Sequence, residues 1–149
     1  MKKQIEQTRE FNSIAGGMPE FDLQMKLILE ELKELENAHN SNNRVEVLDA
    51  LADTLYVVFG MVNRFNADNV IEEAFERVHK SNMSKFCTSY EEALKTIDKY
   101  RNEGIDARMR NNAGKKVVVR DEDGKVLKSV NYKRVYLKDL SLKEKDCKN

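Results

Sequence analysis

The order of apolar and polar positions predicts helices through the first half of the chain. Residues 2–14 place Ile5, Thr8, Phe11 and Asn12 on one side, with no breaker before Gly16-Gly17. Pro19 then opens a new segment, because proline is tolerated in a first helical turn. A second helix follows over about 20–38, a third over about 44–65, and a fourth from Val70 to about Met83. The link from His39 to Asn43 is rich in Asn and Ser, and is long enough only for an antiparallel helical hairpin. Beyond Asp53 the third helix is apolar on nearly every side, which predicts the most buried helix of the set. Gly60 within it predicts a close approach by a neighbouring helix. The fourth helix has Ile71, Ala74, Phe75 and Val78 as its expected inward stripe. Four helices with short links predict a helical bundle.

The pattern changes after Lys85. Ser89 is placed to cap a fifth helix through Glu92, and that helix runs to about Asn102 before Gly104. Residues 107–110 and 116–120 then alternate as strands, and Asp121-Glu122-Asp123-Gly124 reads as a hairpin leading to a third strand over 125–128. The expected fold class is mainly α: a four-helix body over residues 1–86, then a small α+β extension over 87–149 that ends in a basic tail.

Composition narrows the class. The chain has 149 residues, 35% of them charged and 40% hydrophobic, as in a globular domain. Its longest apolar run, Leu55 to Val62, is too short to span a membrane, and the start lacks the apolar stretch of a signal peptide. Cys87 and Cys147 are expected to be free thiols in a reducing cytoplasm, since neither has a partner at zinc-like spacing. Net charge is zero but uneven: residues 1–98 carry 11 basic and 18 acidic side chains, and residues 99–149 carry 15 and 8. An acidic body with a basic end suits a polyanionic ligand held through metal on one side and Lys or Arg on the other. The tail from Lys143 to Lys148 reads more simply as a solubilising segment.

The acidic positions change the picture most. Glu31 and Glu34 lie roughly 60° apart on one face of the second helix. Glu46, Asp49, Asp53 and Tyr56 follow an i, i+3, i+7, i+10 ladder on the third. Glu31 falls inside the apolar arc of Leu27, Ile28 and Leu35, and no Lys or Arg occurs between Ala50 and Asn63 to answer it. A buried carboxylate without a cation is costly. Carboxylates converging from two facing helices without basic partners are what a Mg²⁺ site requires. A lone acidic helix would be ordinary solvated surface.

Other chemistry is sparse. His39 lies in a turn, and His79 reads as a packing residue. Gly16-Gly17 is not followed by the Lys-Ser or Lys-Thr of a phosphate loop. The basic residues near the C-terminus form no recognisable nucleic-acid module. Ser81-Asn82-Met83-Ser84-Lys85 ends the fourth helix with an amide that can meet a base or sugar and an ammonium that can meet a phosphate. An ordinary helix C-terminus has the same composition.

Four stretches together resemble a known group. They are Glu30-Glu31-x-x-Glu34, Asp49-Ala50-Leu51-Ala52-Asp53-x-x-Tyr56-Val57, the ending from Val78 to Lys85, and the segment from Asp123 to Tyr132. In this order they resemble the all-α nucleoside triphosphate pyrophosphohydrolases, which include MazG proteins, dimeric dUTPases and phosphoribosyl-ATP pyrophosphohydrolase. More narrowly, the chain resembles the small MazG-like, phosphoribosyl-ATP pyrophosphohydrolase-like proteins common in bacteria and phages.

The resemblance implies a MazG-like bundle, a homodimer or homotetramer, and Mg²⁺ (or Mn²⁺) held by Glu-x-x-Glu on one helix and Glu-x-x-Asp on the next. Glu31 and Glu34 match the first half, and Asp53 matches the last acid. The Glu expected three residues before it falls on Ala50, so either Asp49 with Asp53 or Glu46 with Asp49 completes the set, the first being preferred. The implied reaction converts a nucleoside triphosphate to a monophosphate and pyrophosphate. In it, Glu30 and Glu31 serve the chemistry, Asn82 and Lys85 contact the nucleotide, and Lys26 lies toward the phosphates. Phosphoribosyl-ATP hydrolysis in histidine synthesis and a non-enzymatic nucleotide-binding module are the alternatives. Neither a membrane nor a nucleic acid is an expected partner.

Overall fold

The computed structural model describes residues 1–140. Cys147 and the tail from Lys143 to Lys148 lie outside them. The described chain is mainly α, with one small sheet near its C-terminal end. In order the elements are α1 (Lys2–Ile14), α2 (Phe21–Asn40), α3 (Arg44–Arg64), α4 (Ile71–Met83), α5 (Tyr90–Asn102), β1 (Ala107–Asn112) and β2 (Lys115–Arg120). They divide into two compact units, Met1–Glu72 and Glu73–Asp139. The division falls near the start of α4. Among the described residues, no helix is long and apolar enough to cross a membrane.

In the first unit, α3 packs against both α1 and α2. The side chain of Asn43 caps α3 by accepting from the backbone N–H groups of Val45 and Glu46. At the far end, Arg64 donates to the Pro19 carbonyl at 2.6 Å and to Glu20 at 3.0 Å, which ties the end of α3 to the start of α2. Ile5, Val62 and Ala67 form the apolar core, with Phe59, Val70 and Ile71 packed on it. A buried polar pin joins α1 to α3: Asn63 Nδ2 donates to the Ile5 carbonyl at 2.8 Å and to Thr8 Oγ1 at 2.7 Å. Gly60 does mark a close approach, because a Cβ built there would stand 2.9 Å from Gln24 Nε2.

Two burial expectations fail. In α3 only Ala50, Gly60, Val62 and Asn63 are buried, and Leu48, Leu51, Leu55 and Val58 are exposed. The reason is geometric: α1 and α2 cover one flank, while the apolar residues run round the whole helix. Phe75 and Val78 of α4 are exposed as well. Within the second unit the held positions of α4 are polar. Arg77 bonds both oxygens of Asp139, at 2.6 and 2.9 Å, and Ser81 bonds Tyr132 and the Lys133 carbonyl.

In the second unit α5 lies on the β1–β2 hairpin. Its core is Cys87, Ala93, Tyr100, Val118 and Leu127. Cys87 is a free thiol. The strands are antiparallel, with Met109 opposite Val118, and are joined through Ala113 and Gly114. Both linking residues have positive φ, as a two-residue mirror-image turn requires. The expected third strand reduces to a single bridge between Val119 and Val126.

Ser89 caps α5, accepting from Glu92 N at 3.1 Å. Glu92 in turn accepts from Thr88 N, Thr88 Oγ1 and Ser129 Oγ. Burial opposes ionisation of Glu92, but the bonds from Ser129 and Thr88 outweigh it and hold its pKa below the usual range. Its ionised form therefore adds stability above the ordinary carboxylate pKa, and that contribution is lost as pH falls through the lowered value. Glu92→Ala is expected to cost about 2–3 kcal/mol at neutral pH, since hydrogen bonds to a charged group are the strong ones. Urea unfolding at pH 7 and at pH 3.5 measures it, and the penalty should shrink at the lower pH.

Candidate metal and substrate site

Glu31 is built into the α2–α3 interface by the helix period. Gln24, Leu27, Ile28, Leu35 and Ala38 share its arc of α2, and all of them are buried or half-buried. Glu30 and Glu34 lie beside it on α2 and are exposed, as are Asp49 and Asp53 on α3. One oxygen of Glu31, Oε2, is buried with no hydrogen-bond partner. Among the described residues, no ion pair uses Glu30, Glu31, Glu34, Asp49 or Asp53.

The electrostatics show the five acids acting together. Burial raises the pKa of Glu31, and the charges of Glu34, Asp53, Glu30 and Asp49 raise it further, in that order. Glu46 is not among the contributors. An all-oxygen donor set with a buried, unpartnered carboxylate oxygen fits a hard divalent cation such as Mg²⁺ or Mn²⁺. As the side chains stand, no group of three or more His, Cys, Asp or Glu among the described residues is assembled to hold a metal ion.

A cavity of about 290 Å³ opens beside these acids, lined by residues of all three helices of the unit, with Glu31 and Asp53 on its wall. Phe11 and Tyr56 meet edge to face at its rim, with ring centroids 5.9 Å apart. Lys26 is exposed on α2. Asn82 and Lys85 belong to the second unit, where Lys85 Nζ donates to Asn82 Oδ1 at 2.7 Å. Sequence reasoning overlooked Gln24 and treated Asn12 only as part of a stripe. Both are polar side chains buried on the cavity wall. The available signal was an amide at a core-facing position of each helix.

The raised pKa of Glu31 has a testable sign. Between the ordinary carboxylate pKa and the raised one, the folded chain binds more protons than the unfolded chain, so this group's contribution to stability falls as pH rises. Glu31→Gln removes that penalty. The variant is expected to melt roughly 3–5 °C above wild type at pH 7 without metal, and to match it near pH 4. Millimolar Mg²⁺ or Mn²⁺ should raise the wild-type melting temperature and leave the variant unmoved. Scanning calorimetry at the two pH values, with and without metal, reads both effects.

The sequence pattern of the phosphoribosyl-ATP pyrophosphohydrolase family matches residues 6–82. The matched stretch contains α2, α3 and all five acids. An uncharacterized protein, L479, of Acanthamoeba polyphaga mimivirus is 41% identical over 88 residues, a match that covers 52% of this chain and 35% of that protein. The chain thus matches about a third of that relative's length. No solved structure matches the chain. The family pattern covers half of the chain and carries the acidic hairpin described above, so the chain belongs to the phosphoribosyl-ATP pyrophosphohydrolase family, within the all-α nucleoside triphosphate pyrophosphohydrolase superfamily.

Proposed function

We propose that the protein is a Mg²⁺-dependent nucleoside triphosphate pyrophosphohydrolase that converts a ribo- or deoxyribonucleoside triphosphate to its monophosphate and pyrophosphate. The observation that carries this reading is the buried, unpartnered Glu31 oxygen among four further carboxylates. Glu31, Glu34, Asp49 and Asp53 would hold the cation. When bound, it neutralises phosphate charge and lowers the pKa of water in the site. Glu30 orients the attacking water or binds as an outer ligand, and Glu31 is the second acid of the chemistry. Water oxygen attacks the α-phosphorus, the α–β anhydride bond breaks, and the water proton is released. Asn82 and Lys85 are proposed to contact the nucleotide, with Lys26 toward the phosphates. Phosphoribosyl-ATP is the second candidate substrate, favoured by the family pattern that the chain matches. The reading suits a reducing cytoplasm, in which Cys87 stays a thiol.

We also propose a homodimer or homotetramer. Leu48, Leu51, Leu55 and Val58 follow an i, i+3, i+7, i+10 stripe on α3, and Leu48 and Leu55 are 69% and 57% exposed. Leu29 and Leu32 add exposed apolar surface on α2. Contiguous apolar surface of this kind marks an interaction face. A second copy, with the same stripe, is the occupant proposed.

Product analysis, turnover of variants and mass measurement test these proposals. With Mg²⁺ and a panel of triphosphates that includes phosphoribosyl-ATP, the primary products should be a monophosphate and pyrophosphate; orthophosphate released first would contradict α–β cleavage. Asp53→Asn is expected to reduce kcat at least about a hundredfold, and Glu46→Gln to change it little. Light scattering at micromolar concentration should give at least twice the chain mass of 17.3 kDa. Leu55→Glu should shift the mass toward the monomer.

A further inference from the structure

The cavity beside the acids has a second polar wall that the proposed hydrolytic chemistry does not use. Gln24 is 3% exposed and Asn12 is 8% exposed, and both line the cavity. Gln24 Nε2 donates to the Val57 carbonyl at 2.8 Å. A carbonyl can only accept, so this bond fixes which end of the carboxamide faces α3. Gln24 Oε1 is left as an acceptor with no partner among the described residues. The Asn12 carboxamide likewise has no partner among them. Glu31 Oε2 is the one fully buried side-chain polar atom without a partner among the described residues, so the unpartnered amide atoms of Gln24 and Asn12 keep access to the cavity they line. Gly60 keeps Gln24 in place, because a Cβ there would meet Nε2 at 2.9 Å and both Cδ and Oε1 at 3.4 Å.

We propose that Gln24 and Asn12 form a nucleobase-reading subsite. The heterocycle enters the cavity and donates an N–H to Gln24 Oε1, while the Asn12 amide pairs with the neighbouring atom of the same base edge. Side-chain amides match such donor–acceptor edges. At about 290 Å³ the cavity is near the lower end of small-molecule clefts, enough for one heterocycle but not for a whole nucleoside triphosphate. Phe11 and Tyr56 offer aromatic surface at its mouth. Glu31 and Asp53 on the same wall set the direction, with the base inward and the phosphates toward the acids. The proposal rests on the nucleotide reading given above and adds the residues that choose among nucleotides. A site built to hydrogen-bond a substrate N–H rejects analogues that lack it, because its own buried groups are then left unpaired.

The test is calorimetric binding of AMP, CMP, GMP, UMP, ribose 5-phosphate and pyrophosphate to the full chain with Mg²⁺. Wild type should rank the four monophosphates and bind the preferred one at least about tenfold more tightly than ribose 5-phosphate. Asn12→Leu and Gln24→Met should each weaken the preferred monophosphate about tenfold and flatten the ranking, with pyrophosphate affinity held within about twofold. Gly60→Ala keeps both amides but displaces Gln24, so it should flatten the ranking too, and it tests the same point should either amide variant fail to fold. An unchanged ranking in the variants that fold overturns the proposal, as does wild-type binding of all four monophosphates no tighter than ribose 5-phosphate. If the ranking shifts as expected but no triphosphate is hydrolysed, the subsite stands and the pyrophosphohydrolase reading fails. If triphosphates are hydrolysed but the ranking never changes, the reverse holds.

Discussion

The structure of the first unit depends on one unfavourable placement. Glu31 sits on the arc of α2 that packs against α3, and one of its oxygens is buried without a donor. Four other carboxylates surround it, and no cationic side chain pairs with any of the five among the described residues. A chain selected for stability alone would put Leu at position 31 and complete the arc of Leu27, Ile28 and Leu35. Keeping a carboxylate there makes sense if a cation completes the site, because the same group then changes from a penalty into a ligand. The rest of the unit holds this arrangement in register. The Asn43 cap starts α3, Arg64 fastens its end to the start of α2, and Gly60 lets the two helices close on Gln24.

The hairpin that brings the acids together was legible because each step is local. The 3.6-residue period put Glu31 in the apolar arc, the short Asn-rich link forced α2 and α3 to turn back, and the lack of Lys and Arg between Ala50 and Asn63 left the acids unanswered. The Ser89 cap and the Gly60 contact were legible for the same reason. What depends on distant partners was not. Nothing near Phe75 or Val78 in sequence says that Arg77, Ser81 and Ser84 will tie α4 to residues 132–139. A helix that is apolar all round, as α3 nearly is, gives no sign of which flank its own chain will cover. The turn at Asp121–Gly124 was legible and brings Val126 back to bridge Val119, but the Ala113-Gly114 turn that joins the paired strands was not, because a non-glycine residue with positive φ is hard to anticipate. Asn12 and Gln24 were passed over because an amide on a core-facing position reads as packing until the cavity beside it is seen.

The second unit answers a different constraint. It has one modest apolar core under a two-stranded hairpin, and much of its order comes from polar fixings. Glu92 gathers Thr88 and Ser129, Thr96 receives Val130 N at 3.1 Å, and Tyr100 receives Lys128 N at 3.1 Å. These bonds fasten the segment after β2, which forms no full strand, onto α5. The unit therefore loses stability in acid through Glu92, whereas the first unit, without metal, loses stability through Glu31 as pH rises toward neutral.

The central claim is that α2 and α3 form a single divalent-cation site around Glu31. Electron paramagnetic resonance of Mn²⁺, titrated with protein at neutral pH, tests it directly, because bound Mn²⁺ loses its sharp free-ion signal. The account predicts one bound Mn²⁺ per chain, displaced by Mg²⁺, and no binding in the Glu31→Gln, Asp53→Asn double variant. Full retention of the free Mn²⁺ signal by wild type, or equal binding by the double variant, would contradict it.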